Sequence, residues 1–188
     1  MGAALRRTAV VGNSGSGKTT LARALAATLD VPRLELDALF HLPGWTELPT
    51  EDFRARVSEF VAGGRWVVDG NYSAVGDLVW ARADTVVWVD PPDPVVLSRI
   101  VRRTLRRVVT RQELWNGNRE PWSNVFSWNP ERSIVAWSWT QRAKYRARYS
   151  AAMADPAWAH IDFVRLRNRA DGRRLLEAAA ARGALEAT

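Results

Sequence analysis

Gly12-Asn13-Ser14-Gly15-Ser16-Gly17-Lys18-Thr19 is a glycine-rich stretch that fits the pattern G-x-x-x-x-G-K-[ST] at every specified position. A β-rich run, Thr8–Val11, precedes it, and a helix-forming run, Leu21–Ala27, follows it. In this strand, loop and helix context, glycines let backbone N–H groups curl inward around phosphate oxygens. The stretch therefore predicts a phosphate-binding loop rather than a chance glycine turn before a helix.

The residue types in this loop predict how a nucleoside triphosphate is held. The N-terminus of the following helix adds partial positive charge to the cradle. Lys18 is placed to reach the β- and γ-phosphates, and the Thr19 hydroxyl is placed to coordinate Mg²⁺. A dinucleotide site fits less well, because Thr20 stands where that pattern needs Gly or Ala. The predicted nucleotide-binding residues here are Gly12, Asn13, Ser14, Gly15, Ser16, Gly17, Lys18, Thr19 and Thr20.

Composition and charge narrow the class of protein. The 188 residues, 47% of them hydrophobic, favour a single domain over residues 1–188. A formal net charge of +7 suits an anionic partner, which could be a nucleotide, a nucleic acid or an acidic membrane surface. The sequence has no cysteine, which excludes disulfides and zinc–thiolate sites. It also has no apolar run of membrane-spanning length and no signal-peptide core, so we expect a soluble cytoplasmic protein that does not bind membranes.

Several predicted strands end in an acidic residue. Arg33–Leu36 runs into Asp37, and the apolar runs 65–69 and 85–90 close on Asp69 and Asp90. Continuous apolar runs are typical of strands covered on both faces, as in the parallel sheets of α/β proteins. A fifth strand is predicted at 160–166. Ligands bind at the carboxyl ends of such strands, so we expect Asp37, Asp69 and Asp90 to gather around the phosphate loop.

Helical patterns separate these strands, and one segment has weak periodicity. Helices are predicted from Thr50 to the pair Gly63-Gly64, over 94–109, over 133–153 and over 171–182. Residues 37–45 are predicted to be a loop by their Pro-Gly turn, although they are more apolar than a solvated loop. The Asn-, Gly-, Pro- and Trp-rich segment within 110–132 is predicted to be a lid inserted between two helices.

Two of the carboxylates have alternative interpretations. Asp37 could orient or deprotonate an acceptor hydroxyl, or it could only cap the turn that follows it. Asp90 could hold Mg²⁺ through water, or it could only cap the turn at Pro91-Pro92. His41 and His160 lack metal-ligand spacing and are predicted to be structural.

The helix predicted at 94–109 is rich in arginine, and no acid occurs between Pro94 and Gln112. Its arginines could neutralise a transferring phosphoryl group, follow a DNA backbone, or form a solvated face. A solvated face normally mixes charge signs, which favours phosphate. We select Arg103, Arg107 and Arg111 as catalytic, because they recur every four residues toward the lid. Arg119 and Arg132 are weaker choices.

Ten tryptophans occur in the chain, and five lie in or beside the predicted lid: Trp115, Trp122, Trp128, Trp137 and Trp139. One of them could stack on a base or sugar. Packing of the lid against the body is the alternative that we favour, because Trp66 and Trp88 already fill predicted core strands.

Four groups of residues together resemble a known family. They are the stretch 12–20, the segment 36–45 with its Leu-Asp-Ala-Leu-Phe and Pro-Gly-Trp, the run 66–72 ending in Asp-Gly-Asn-Tyr, and the Arg-rich helix leading into 110–120. They cover most of the chain. On these motifs the chain resembles the bacterial P-loop kinase-like proteins known as DNA topology modulation proteins, which are relatives of adenylate and shikimate kinases.

This resemblance implies a P-loop NTPase three-layer α/β sandwich with a five-stranded parallel sheet in order 2-3-1-4-5, ATP on the phosphate loop, and an Arg-bearing lid. Asp69-Gly70 is similar to the segment with which adenylate kinases line their acceptor site. The residues that follow here, Asn71-Tyr72-Ser73, lack the arginine of that segment, which puts AMP as acceptor in doubt. Arg167 lies where such kinases pack against adenine. The acceptor-binding residues are then Asp37, Trp45, Asp69, Asn71 and Tyr72, with Thr19 and Asp90 at the metal.

We therefore expect an ATP- and Mg²⁺-dependent phosphotransferase that acts on a small molecule, with a nucleoside or nucleotide as acceptor. Lys18 would hold the phosphates and Asp37 would orient the acceptor. A nucleotide-dependent DNA-binding protein is the alternative from a different class. An NTPase switch without an acceptor is a third possibility. The chain could be a monomer or a homodimer.

Overall fold

Five parallel strands form one sheet in the computed structural model, which describes residues 4–111, 113–118 and 134–186 but not the side chains of 108, 134–141 and 184–186. The strand order is β2-β3-β1-β4-β5, and every neighbouring pair is parallel. This confirms the expected sheet. The strands are β1 (Arg7–Gly12), β2 (Arg33–Glu35), β3 (Trp66–Asp69), β4 (Thr85–Val89) and β5 (Asp162–Leu166).

The helices connect the strands and cover the sheet. Those predicted from the sequence are present with boundaries shifted by a few residues. The α-helices of the described residues are α1 (Lys18–Leu29), α2 (Leu36–Phe40), α3 (Thr50–Val61), α4 (Ser73–Arg82), α5 (Asp93–Val109), α6 (Ile134–Ala154) and α7 (Arg169–Glu186).

The core has two halves, one on each face of the sheet. Successive side chains of a strand point to opposite faces, so Val10 of β1 faces one way and Ala9 and Val11 face the other. Val10 packs in a cluster with buried residues of α1 and α7. Ala9 and Val11 pack in a second cluster with buried residues of α3, α4 and α6. The result is the expected three-layer arrangement, in which continuous apolar strands are covered on both sides.

Two helices differ from the sequence expectation. Residues 37–45 were expected to be a loop, but α2 and a 3-10 turn at Pro43–Trp45 form there, because Leu36 is buried and the Phe40 ring packs 5.2 Å from Phe53 and 4.8 Å from Tyr72. This packing explains the apolar character of the segment. Helix α4 was not expected at all. Val75 and Val79 are buried one turn apart on this helix, but the apolar pattern is short. It also contains Gly76, a residue that disfavours helices.

Most of the predicted lid, 110–132, lies outside the described residues, which end at 118 and resume at 134. The same is true of Arg119, Arg132, Trp122 and Trp128, and of the side chains of Trp137 and Trp139. Trp66 and Trp88 are buried core residues, as expected. Within the described parts of the chain, no helix combines the length and the apolar character needed to cross a membrane.

Candidate functional site

The phosphate loop connects β1 to α1 and rests on α5. Gly15 and Gly17 have φ values of 76° and 102°, which lie in the left-handed region that favours glycine. A Cβ atom on Gly15 would also collide with the side chain of Ile100 on α5. Glycine is therefore required at Gly15 for two independent reasons, its backbone conformation and its contact with α5.

Asn71 fixes the start of this loop. Its Oδ1 accepts a hydrogen bond from the Gly12 N–H at 3.0 Å, and its Nδ2 donates to the Gly12 carbonyl at 2.5 Å. The Tyr149 hydroxyl donates to the same Oδ1 at 3.1 Å. The described contacts of Asn71, which we had predicted at the acceptor site, therefore hold the phosphate loop against the end of β3.

Lys18 lies between two of the predicted carboxylates. Its Nζ is 3.3 Å from Asp69 Oδ1 and 3.6 Å from Asp37 Oδ2, and it is 3.5 Å from the Thr19 hydroxyl. Burial acts to lower the pKa of Lys18, but Asp69 and Asp37 outweigh it, so the net pKa lies above its ordinary value. Lys18 is thus a permanently charged ammonium at the carboxyl edge of the sheet.

Asp69 ends β3, the strand that pairs directly with β1, and its side chain is 0% exposed. Within the described part of the chain, neither of its carboxylate oxygens has a hydrogen-bond partner, and Arg33 is a second cation nearby, at 3.7 Å. Burial raises the pKa of Asp69, while Lys18 and the Thr19 hydroxyl oppose that shift. A buried carboxylate that lies beside a hydroxyl and has one close cation, Lys18, fits a site for a hydrated cation.

The described residues alone do not form a complete metal site. No three His, Asp or Glu side chains of that part of the chain group together in a way that could hold an ion. Mg²⁺ in phosphoryl-transfer sites takes one or two protein ligands and completes its shell with water and phosphate oxygens. Thr19 and Asp69 fit that limited role.

Asp90, at the end of β4, is paired with arginine side chains. Arg146 donates to its Oδ1 at 3.0 Å, and Arg165 donates to its Oδ2 at 2.5 Å. Two guanidinium groups on one carboxylate leave little negative charge to attract a cation. The geometry therefore favours Asp69 over Asp90 as the acid associated with Thr19, and Asp90 as an anchor for α6 and β5.

A cavity of about 430 Å³ opens on the β4 and β5 side of the phosphate loop. Its walls include Pro92, Arg146, Arg165 and Arg167, the last of which the sequence predicted to bind the nucleotide. The Arg165 guanidinium is itself stacked 4.1 Å from the Trp88 ring centroid. The volume is in the range of small-molecule sites.

Two arginines of α5 contact the phosphate loop. Arg103 donates to the Ser14 hydroxyl at 3.0 Å, and Arg99 donates to the Ser16 carbonyl at 2.6 Å. Arg107 is half-buried and Arg111 is exposed. Arg99 was not among the arginines selected from the sequence, although it lies one turn before Arg103 in the same four-residue register.

Asp37 is held by a tyrosine on the β2 and β3 side of the phosphate loop. The Tyr72 hydroxyl donates to Asp37 Oδ1 at 2.8 Å, and His41 Nε2 lies 3.3 Å from the same hydroxyl. Burial, followed by the charge of Asp37, raises the pKa of Tyr72 well above its ordinary value. Tyr72 is therefore a permanent donor that orients Asp37. Sequence reasoning had not connected His41 with this group.

Residues 113–118, which we call the docking segment, lie against residues 35–45 at the beginning of the predicted lid. Trp115 Nε1 donates to Glu35 Oε1 at 2.8 Å, and its ring stacks 5.9 Å from His41. Asn118 accepts from the N–H of Trp45 at 2.9 Å and donates to the Leu42 carbonyl at 2.9 Å. Of the two roles considered for Trp115, these contacts correspond to packing.

We expect the Asn118→Ala substitution to destabilise the chain by about 1–3 kcal/mol, because it leaves two backbone groups without their partner. Asn118 is only 4% exposed, so water does not replace its amide freely. Chemical denaturation would measure the loss. Glu113→Ala is the control, since Glu113 is an exposed residue of the same segment. Equal stability of the Asn118→Ala variant and the unsubstituted protein would contradict the docking interaction.

Three solved structures that are similar in fold to this chain are small-molecule kinases by name. A gluconokinase from Sinorhizobium meliloti is 19% identical, with a TM-score of 0.52 over 95% of this chain and 93% of its own. A shikimate kinase from Acinetobacter baumannii, in complex with shikimate, is 19% identical, with a TM-score of 0.53 over 94% and 91%. A shikimate kinase from Bacteroides thetaiotaomicron is 16% identical, with a TM-score of 0.53 over 94% and 95%. No protein-family model and no curated protein matches the chain. These similarities show that the chain has the P-loop kinase fold.

Proposed function

We propose that the protein is an ATP- and Mg²⁺-dependent phosphotransferase that acts on a small-molecule acceptor. The observation that carries this proposal is the position of Lys18, whose Nζ lies 3.3 Å from Asp69 and 3.6 Å from Asp37 at the mouth of a phosphate-binding loop. Lys18 thus lies between the triphosphate site and two carboxylates, of which Asp69 is fully buried and Asp37 is partly exposed. The similarity of the fold to a gluconokinase and to shikimate kinases supports the proposal.

The triphosphate of ATP would bind the backbone N–H groups of residues 12–20, and its nucleoside would enter the cavity beside Arg167. The cavity and the acceptor side lie on opposite sides of β1, because β4 and β5 flank it on one side and β3 and β2 on the other. The γ-phosphate would then point from the phosphate loop toward Lys18 and Asp37. This placement uses the edge at which α/β proteins bind ligands.

Thr19 and Asp69 would hold Mg²⁺, Thr19 through its hydroxyl and Asp69 through bound water. When bound, the ion neutralises charge on the β- and γ-phosphates. The two orphan oxygens of Asp69 support this assignment, because metal-bound waters are donors that would satisfy them.

Asp37 would accept the proton of the acceptor hydroxyl as the hydroxyl oxygen bonds to the γ-phosphorus and the bond to the β-bridging oxygen breaks. ADP leaves with the electron pair of that bond. Tyr72 would keep Asp37 oriented through its 2.8 Å hydrogen bond. Lys18, Arg99 and Arg103, together with Arg107 of α5 and the lid residue Arg111, would neutralise the moving phosphoryl group.

We expect Arg103→Ala and Arg99→Ala each to lower kcat by about 10²-fold, the usual effect of removing one donor to a developing charge. Both side chains contact the phosphate loop. Arg102→Ala is the matched control, because Arg102 is on the same helix but exposed, and its activity should be unchanged. Steady-state kinetics would measure all three. Equal losses in all three variants would indicate that general positive charge, rather than these two contacts, matters.

Incubation with γ-labelled ATP and a panel of nucleosides, nucleotides, sugars and other hydroxyl metabolites tests the proposed activity. A labelled product that depends on both Mg²⁺ and acceptor supports it.

A nucleotide-dependent DNA-binding protein is the second candidate, which the exposed Arg102 and Arg106 and the net charge of +7 favour. That candidate predicts tight, salt-sensitive duplex binding and no labelled product. Hydrolysis of ATP without any acceptor requirement would indicate an NTPase switch.

A further inference from the structure

Among the residues that the structure describes, those on the acceptor side of the phosphate loop have more negative than positive charge. Three carboxylates belong to this cluster: Glu35 at the end of β2, Asp37 at the start of α2 and Asp69 at the end of β3. Two cations contact them, Lys18 and Arg33. The formal charge of this acidic cluster is therefore −1 before any substrate binds.

Both cations of the cluster already have partners. Arg33 Nη1 lies 3.0 Å from Glu35 Oε2 and 3.7 Å from Asp69 Oδ2. Its side chain is 22% exposed, so it is held in the wall of the site. Lys18 is the residue that the triphosphate requires. An anionic group on an acceptor would therefore meet Asp37 and Glu35 without a free cation of the cluster.

The carboxylates of the cluster also repel one another. After burial, which is the largest effect, the negative charges of Asp37 and Glu35 contribute to raising the pKa of Asp69. The same three acids stabilise the charged form of Lys18. A further anion would add to this repulsion, whereas an uncharged hydroxyl would find acceptors for its hydrogen bonds in Asp37 and Glu35.

Aromatic rings border the same site. The Trp115 ring stacks 5.9 Å from His41, and the Trp45 ring meets His41 edge-on at 5.4 Å. The Trp115 indole N–H is bonded to Glu35, so the aromatic border and the acids form one continuous wall. Such a wall suits a ring that has an apolar face and hydroxyl groups at its edge, as a sugar or nucleoside has.

Resting on the function proposed above, we propose that the acceptor is a hydroxyl compound without an anionic group, recognised by hydrogen bonds to the acids and by contact with the aromatic wall. Nucleoside monophosphates and sugar acids are then poor acceptors, and nucleosides, sugars and polyols are the class to test. Glu35 acts as a specificity-determining residue, because its carboxylate both adds negative charge and occupies Arg33.

Pairs of acceptors that differ by one anionic group test this inference. The probes are adenosine with AMP, inosine with inosine monophosphate, glucose with gluconate, and glycerol with glycerate, each with γ-labelled ATP and Mg²⁺. We expect the preferred uncharged compound to exceed its anionic partner in kcat/KM by about tenfold or more, since like-charge contacts at binding sites are strongly unfavourable. Glu35→Gln keeps the side-chain shape but removes one charge and releases Arg33. In this variant, the ratio of kcat/KM for the uncharged compound to kcat/KM for its anionic partner should fall by about tenfold. Glu51→Gln, on the exposed side of α3, is the control and should leave it unchanged.

The outcomes separate this inference from the proposed function. Equal or better transfer to the anionic member of a pair overturns the inference, as does a preference that Glu35→Gln leaves intact. Failure of every uncharged compound to accept phosphate also overturns it when ATP still binds in a Lys18-dependent way. Loss of Lys18-dependent ATP binding itself would overturn the proposed function instead.

Discussion

Lys18→Ala should lower the rate of phosphoryl transfer by at least about 10²–10³-fold, the range for removal of one charged donor at a transition state. Lys18 is the only residue whose side chain is seen in ion-pair contact with both Asp37 and Asp69 within the described chain. Its loss removes the positive charge from the point at which the γ-phosphate would meet the acceptor. Single-turnover transfer from labelled ATP would measure the loss directly.

A second effect of Lys18→Ala must be separated from the first. Asp69 is fully buried, and without Lys18 it would keep only Arg33, at 3.7 Å, as a cation. Removing one partner of a buried ion pair costs about 3–5 kcal/mol of stability, so Lys18→Ala could lose activity by unfolding. Lys18→Arg keeps the charge beside Asp69 and should remain folded, yet its bulkier fork does not fit the lysine position in the phosphate loop. A folded Lys18→Arg variant with full transfer would contradict the role of Lys18.

Asp69→Asn should lower transfer by about 10²-fold or more, because it removes the buried negative charge proposed to support Mg²⁺. The requirement for Mg²⁺ should shift to higher concentrations, while ATP binding through the loop is largely retained. A titration of activity against Mg²⁺ concentration would measure this shift. Asp52→Asn, an exposed substitution on α3, is the matched control.

The same substitution should change how the stability of the fold depends on pH. Because burial raises the pKa of Asp69, the native state binds its proton more tightly than the unfolded chain does. The unfolding free energy contributed by Asp69 is therefore full below the ordinary pKa of an aspartate and declines as pH rises through the raised pKa. Asp69→Asn removes this decline, so the unfolding free energy of the variant, relative to that of the unsubstituted protein, should rise from acid to neutral pH. Equal pH profiles of stability would contradict the buried, donor-poor environment of Asp69.

Local sequence rules predicted the parts of the site that depend on neighbours in the chain. The phosphate loop could be predicted from residues 12–19 alone, since the spaced glycines, Lys18 and Thr19 all lie within this one continuous stretch. The ends of β2 and β3 could be predicted because the apolar run of each strand stops at an acidic residue. Together with the end of β4, they predicted that Asp37, Asp69 and Asp90 would gather around the phosphate loop, and the structure has the first two within ion-pair distance of Lys18.

The parts that sequence reasoning missed depend on contacts between distant residues. Asp90 also follows an apolar strand, so its position resembles that of Asp69. It differs because Arg146 and Arg165, which lie 56 and 75 residues away, occupy its oxygens. Strand pairing decides the difference as well, since β3 and β4 flank β1 on opposite sides and only the β3 side has Asp37.

Asn71 and the docking segment show the same limitation. Nothing in the segment Asp-Gly-Asn-Tyr indicates that the Asn71 amide holds the backbone of Gly12, 59 residues earlier. Likewise, Trp115 and Asn118 lie in a segment of weak periodicity, and their partners in 35–45 become visible only in three dimensions. Arg99 is different, because the four-residue register that selected Arg103 would have found it one turn earlier.

The proposed binding of ATP and Mg²⁺ at the phosphate loop is tested most directly by a crystal structure of the protein with Mg²⁺ and a non-hydrolysable ATP analogue. We expect backbone N–H groups of residues 13–19 to surround the β- and γ-phosphates. Lys18 Nζ should be in hydrogen-bond contact with the γ-phosphate, and Mg²⁺ should lie at Thr19 on the Asp69 side. A nucleotide bound elsewhere, with the phosphate loop empty and Lys18 still paired only with Asp37 and Asp69, would contradict it.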